Sequence, residues 1–194
     1  MMSGKRLLIA ALLLAAVQIG FLSWIIAGRA AILRNGQEVL LKVEPVDPRD
    51  FLRGDYVRLG YDISSLPAKL IGNAPAGAIV TEEGQIFVRI GKDADGYWRA
   101  RSASLYQPFS TPAAGGEVDL RGTIPGGWSL EPASEIRVDY GIERFYVPEG
   151  EGMDIQNDMR VRPFGILAAV ASDGTAQIKA LMDGDKKLYE EPLY

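Results

Sequence analysis

Residues 7–27, LLIAALLLAAVQIGFLSWIIA, form an almost unbroken apolar run, with Gln18 and Ser23 as its main polar interruptions. As a helix, a run of this length at about 1.5 Å per residue spans roughly 30 Å, the thickness of a bilayer's hydrocarbon core. Trp24 falls where an interfacial aromatic belongs. A helix of a soluble bundle keeps a polar face, and this one has none. A cleaved signal peptide needs a shorter apolar core, about 7–15 residues, and a small-x-small site. Here Arg29 intrudes in Ala27-Gly28-Arg29-Ala30, so an uncleaved anchor is the better reading.

Orientation rests on the leader. Lys5 and Arg6 precede the run, while Arg29 and Arg34 follow it, so the positive-inside rule gives little contrast. The short basic leader favours an N-terminus inside. The expectation is a single-pass protein of the cell inner membrane: residues 1–34 form leader and anchor, and residues 35–194 a periplasmic domain.

The chain beyond the short basic leader is acidic. Of 21 basic residues two precede the run, leaving 19 against 25 acids, a net charge of −6. No basic cluster follows, so no nucleic-acid partner is expected. The chain has no histidine and no cysteine, which removes zinc, copper and iron sites and all thiol chemistry. No cofactor and no metal is expected. The one calcium-like stretch, Asp93-Ala94-Asp95-Gly96, lacks the later bidentate glutamate and reads better as a hairpin turn.

Beyond the anchor, Asn35-Gly36 is a helix stop. Strand patterns follow at 38–43, 56–63, 79–80 with 84–90, 97–105, 118–124, 135–147, within 159–172 (GILAAVA) and at 175–182, separated by Gly, Pro and Asp turns. Segments 84–90 and 97–105 read as a hairpin, as do the last two around Asp173-Gly174. The pattern at 135–147 allows a bend at Gly141, and a short helix fits within 150–158. The fold class is mainly β: a transmembrane helix followed by an antiparallel domain, sandwich or barrel-like, with room for two small packed sheets.

One segment is framed more tightly than the rest. In RGDYVRLGYDI, Tyr56, Arg58, Gly60 and Asp62 alternate with Val57, Leu59, Tyr61 and Ile63. A strand places the second set on one face, ready to fill a core. Gly54 supplies turn freedom and Asp55 a carboxylate for nearby amides. Asp47, Arg49, Asp50, Arg53, Asp55 and Arg58 also put six charges within twelve residues, more than a bend requires.

Residues 54–61, Gly54-Asp55-Tyr56-Val57-Arg58-Leu59-Gly60-Tyr61, resemble the string that names the GDYXXLXY family of bacterial proteins. The lead-in from Pro45 to Arg53 is similar to that family's P-x-D-P-R-D-x-x-R, and Tyr140-Gly141-Ile142-Glu143-Arg144-Phe145-Tyr146-Val147-Pro148-Glu149-Gly150 resembles its second hallmark. The resemblance implies a membrane-anchored extracytoplasmic protein of unassigned function. Some such proteins are linked with polytopic membrane proteins. It carries no catalytic residue across.

Two functions follow as expectations. The first is an accessory or binding subunit for a polytopic membrane partner, met through the charged stretch Asp47 to Arg58 just beyond the anchor. The second is a cell-envelope hydrolase using Asp55, Glu143 or Glu149, which requires carboxylates about 5–10 Å apart in a cleft. A serine–lysine peptidase with Ser64 or Ser65 and Lys69 fits poorly, because the S-M-x-P segment expected after such an anchor is missing.

Overall fold

A computed structural model describes residues 4–44, 56–75, 77–159 and 161–192. The first element is the helix α1 (Gly4–Asn35), followed by β1 (Gln37–Glu44), β2 (Tyr56–Arg58), β3 (Gly60–Tyr61) and β4 (Ser65–Pro67). Then come β5 (Ile79–Val80), β6 (Gly84–Lys92), β7 (Trp98–Leu105), β8 (Glu117–Ile124), β9 (Trp128–Ser129), β10 (Glu135–Arg137) and β11 (Arg144–Tyr146). The short helix α2 (Gly152–Asp158) precedes β12 (Phe164–Val170), β13 (Ala176–Asp183) and β14 (Lys186–Glu190). The chain is thus an N-terminal apolar helix followed by antiparallel β-sheet.

Two sheets organise the domain. One has the order β14-β13-β12-β1-β3 and the other β7-β6-β8; three short ribbons, β10-β4, β11-β2 and β5-β9, complete it. All these strand ladders are antiparallel. They enclose one core, to which Val39 and Leu41 of β1, Val88 and Ile90 of β6, Leu120 of β8 and Ile166 of β12 each contribute a side chain with no exposed surface.

The burial patterns follow from position. β8 alternates intermediate and buried along its length, as a strand with one face inward must. β12 is buried at nearly every residue because it lies centrally in its sheet and the base of α1 packs over it. Its sequence, FGILAAV, is accordingly apolar throughout rather than alternating.

The stretch Leu7–Asn35 of α1 is long and apolar enough to cross a membrane, and none of its most apolar window is buried. Among the described residues the helix meets the domain at its end, where Ala30 and Leu33 are buried. The expected stop at Asn35-Gly36 is the observed one: the Gly36 amide closes on the Ile32 carbonyl at 2.8 Å, and β1 begins at the next residue. A Cβ at position 36 would lie 2.6 Å from the Ile32 carbonyl oxygen and 3.0 Å from the Val170 amide. Only glycine permits so abrupt a change from helix to strand here.

Other expectations are refined. The segment 56–63 is two short strands and a 3-10 turn rather than one strand. Segments 79–80 and 84–90 do not pair with each other; β5 joins β9, and β6 lies between β7 and β8. The hairpin turn at 93–96 is as expected, and its carboxylates are taken by arginines. Arg99 reaches Asp93 at 2.6 Å and Asp95 at 2.5 Å, and Arg101 also pairs with Asp93.

Among the described residues one charge lies inside. Arg89 on β6 is 8% exposed; its Nε donates to Asp119 Oδ1 at 2.6 Å and its Nη2 to Asp119 Oδ2 at 2.8 Å. Nη2 also donates to the Thr111 carbonyl at 2.7 Å, and the guanidinium lies 4.2 Å from the centre of the Phe109 ring. Arg89 therefore fastens the long 106–116 loop to the three-stranded sheet. Arg89→Met is expected to lower stability by about 2–3 kcal/mol, because it strands a half-buried carboxylate and a loop carbonyl. Urea unfolding of the full chain in mild detergent measures it. Adding Asp119→Leu should restore part of the loss, and no restoration would mean that the ring and loop contacts dominate.

Candidate functional site

The two sequence blocks that stood out, around 56–61 and 140–147, are partners. β2 and β11 pair antiparallel with Arg144 opposite Arg58, Phe145 opposite Val57 and Tyr146 opposite Tyr56. The amide of Leu59 donates to the Glu143 carbonyl at 2.9 Å, and that of Val138 to the Ser64 carbonyl at 2.9 Å. The alternation read from the sequence holds, with Val57, Leu59, Tyr61 and Ile63 all buried.

Two tyrosines lock the blocks reciprocally. Tyr61, 1% exposed, donates its hydroxyl to the Ile142 carbonyl at 2.5 Å. Tyr140, 5% exposed, donates its hydroxyl to the Ile63 carbonyl at 2.8 Å. Each block thus satisfies a buried carbonyl of the other, which such a group needs when it leaves water. Burial pushes both phenols well above their ordinary value, and the Glu143 carboxylate adds to this at each.

Between the two tyrosine contacts the second block turns sharply. Gly141 has φ +80°, a backbone conformation that other residues adopt only at a cost. The Glu143 carboxylate accepts the Tyr140 amide at 2.5 Å and closes the turn. On the other side, Thr123 and Asp139 exchange backbone hydrogen bonds of 2.7 and 2.9 Å, which ties the segment to β8. The expected single strand over 135–147 is therefore split into β10 and β11, with the bend at Gly141.

This turn floors an open groove of about 740 Å³. Arg58, Arg137 and Arg144 line it together with Glu83, Asp139 and Glu143. Arg137 lies 3.5 Å from Asp139. The in-register placement of Arg58 opposite Arg144 is unusual, since like charges directly across a ladder repel. A second cavity of about 340 Å³ shares Gly141 and Arg144 with the groove and extends to Arg29 and Leu33 of α1.

The expected site residues are distributed as follows. Arg58, Leu59, Gly141 and Glu143 reach the groove, with Leu59 and Tyr61 chiefly filling the core. Tyr140 borders a neighbouring small cavity beside Gly141. Glu149 is exposed and does not line the groove. Asp47, Arg49, Asp50, Arg53, Gly54 and Asp55 lie outside the described residues, and of Tyr56 only the backbone is described. Ser64 Oγ is buried, and no hydrogen bond joins Ser64 or Ser65 to Lys69 among the described residues. Among those residues no group of three or more acids is placed to hold a metal ion.

Glu83, Arg137 and Asp139 were not singled out as groove residues from the sequence. Arg137 and Asp139 alternate with buried Ile136 and Val138, so their outward direction was readable. Nothing local marked Glu83, which arrives from the loop before β6.

In comparisons with known proteins, a family model described as GDYXXLXY protein matches residues 18–181. No curated protein and no solved structure matches the chain.

Proposed function

The chain belongs to the GDYXXLXY family, and on that footing we propose that it is an accessory subunit, anchored in the inner membrane by α1, whose periplasmic domain holds an acidic segment of a polytopic membrane partner. The observation that carries this reading is the convergence of both hallmark blocks on one arginine-lined groove. Arginine suits the role, because its planar fork meets carboxylates with paired, directional hydrogen bonds. The neighbouring cavity brings the groove's edge to Arg29 and Leu33 on α1, within reach of a neighbour at the membrane surface. Hydrolysis has less support. The Glu143 carboxylate already holds the Tyr140 amide, and Glu149 does not join it in the groove.

The test is purification of the full chain from native membranes in mild detergent, alongside Arg58→Glu and Arg53→Ala variants. Arg58 is exposed and lies opposite Arg144, so its reversal should leave the domain folded with a melt no lower than that of the wild type. One polytopic protein at near-equal amount is expected with the wild type, reduced about tenfold or more by Arg58→Glu, as rim and groove charges permit. A partner retained equally by Arg58→Glu would remove the groove from the interaction, and the absence of any polytopic partner would remove the accessory role.

A further inference from the structure

The smaller cavity, where the helix leaves the domain, has its own chemistry. Arg29 and Leu33 form one wall from α1, and Arg144 and Tyr146 come from β11. Gln177 and Glu191 supply further polar groups, and Ile142 and Ile178 give it an apolar floor. Its volume, about 340 Å³, lies at the lower end for small-molecule sites.

Its height is set by the helix. Arg29 is two residues past Ala27, the last residue of the apolar run, and Leu33 is six residues past it. At 1.5 Å per residue these lie about 3 and about 9 Å beyond the hydrocarbon edge, which brackets the headgroup layer, about 5–8 Å deep on each side. The cavity therefore opens at the level of lipid phosphates, with a bare apolar helix face directly below it. We propose that it binds the headgroup of a membrane phospholipid. Arg29 and Arg144 grip the phosphodiester, and Glu191 receives a hydrogen-bond donor from the headgroup's end, as an ethanolamine or glycerol group offers and a choline group does not. The acyl chains lie along α1. The inference rests on the anchored reading given above.

The full chain, stripped of lipid in mild detergent, is titrated with phosphatidylethanolamine, phosphatidylglycerol and phosphatidylcholine, and bound lipid is read by native mass spectrometry. One of the first two lipids per chain is expected, with the choline lipid bound about tenfold more weakly. Arg29 is exposed on the helix, so Arg29→Gln should leave the domain folded and weaken retention about tenfold. Equal binding of the choline lipid, or unchanged retention by Arg29→Gln, would overturn the site. Displacement of the lipid by equal concentrations of glycerophosphoethanolamine would also overturn it, in favour of a soluble phosphodiester ligand. Carbonate extraction of native membranes separates the two readings. A chain that stays in the membrane yet shows no headgroup preference refutes the site alone, whereas a chain released by carbonate refutes the anchor.

Discussion

Tyr61→Ala should cost about 3–5 kcal/mol, close to the whole stability of many domains, whereas Tyr61→Phe should cost only about 1–2 kcal/mol. The difference separates two jobs of one residue. The ring is among the largest fully buried side chains, and its removal leaves a cavity between the two hallmark blocks. The hydroxyl satisfies the Ile142 carbonyl. Tyr140→Phe should resemble Tyr61→Phe, since it frees the Ile63 carbonyl in the same way. If the two tyrosines act as one lock, the double phenylalanine variant should differ from the sum of the single effects by about 0.5 kcal/mol or more. Urea unfolding of the full chain in mild detergent, followed by near-ultraviolet circular dichroism, measures all four variants. A loss below about 1 kcal/mol for Tyr61→Ala would mean that the blocks are held by the surrounding sheets instead.

The same pair predicts a steep alkaline limit. In the unfolded chain both phenols titrate near their ordinary value of about 10. In the folded domain both are raised well above it, first by burial and then by Glu143, with Asp62 adding to the effect at Tyr140. Between those values the folded state binds more protons than the unfolded one, so stability falls as pH rises. The contribution is complete below about pH 10 and is lost above it, at up to about 1.4 kcal/mol per pH unit for each phenol. By about pH 11 the two together should have removed about 2–3 kcal/mol. Tyr97, raised chiefly by burial, acts in the same direction. Urea midpoints from about pH 8 to about pH 11 should therefore drop steeply for the wild type. The drop should be much shallower for the double phenylalanine variant, and parallel curves would show that neither phenol is protected.

Much of the architecture was readable from local pattern. The apolar run, its stop at Asn35-Gly36, the hairpin at 93–96 and the burial of Val57, Leu59, Tyr61 and Ile63 all depend on spacing within a few residues. Pairing across the chain was not readable. Nothing in either hallmark block says that Arg58 will lie opposite Arg144, because that register is fixed by tertiary packing and by the two tyrosine contacts. The interior position of Arg89 was hidden for a related reason. Its sequence neighbours, Val88 and Ile90, mark it as outward-facing, and Asp119 and the returning 106–116 loop cover it. The short β14 carries no clear alternation and is recruited as an edge of the larger sheet.

The junction at Gly36 has a geometric consequence. With no spacer between α1 and β1, and with Ala30 and Leu33 packed on the sheet, the helix acts as an axle keyed to the domain. Each residue of an α-helix advances the azimuth by about 100° and the elevation by about 1.5 Å. The compass bearing of the arginine groove around the helix axis is therefore set by residue count alone. In the membrane-anchored arrangement proposed above, a neighbouring helix packed against one side of α1 would always find the groove at the same angle, so contacts along the helix and contacts at the groove are chosen together.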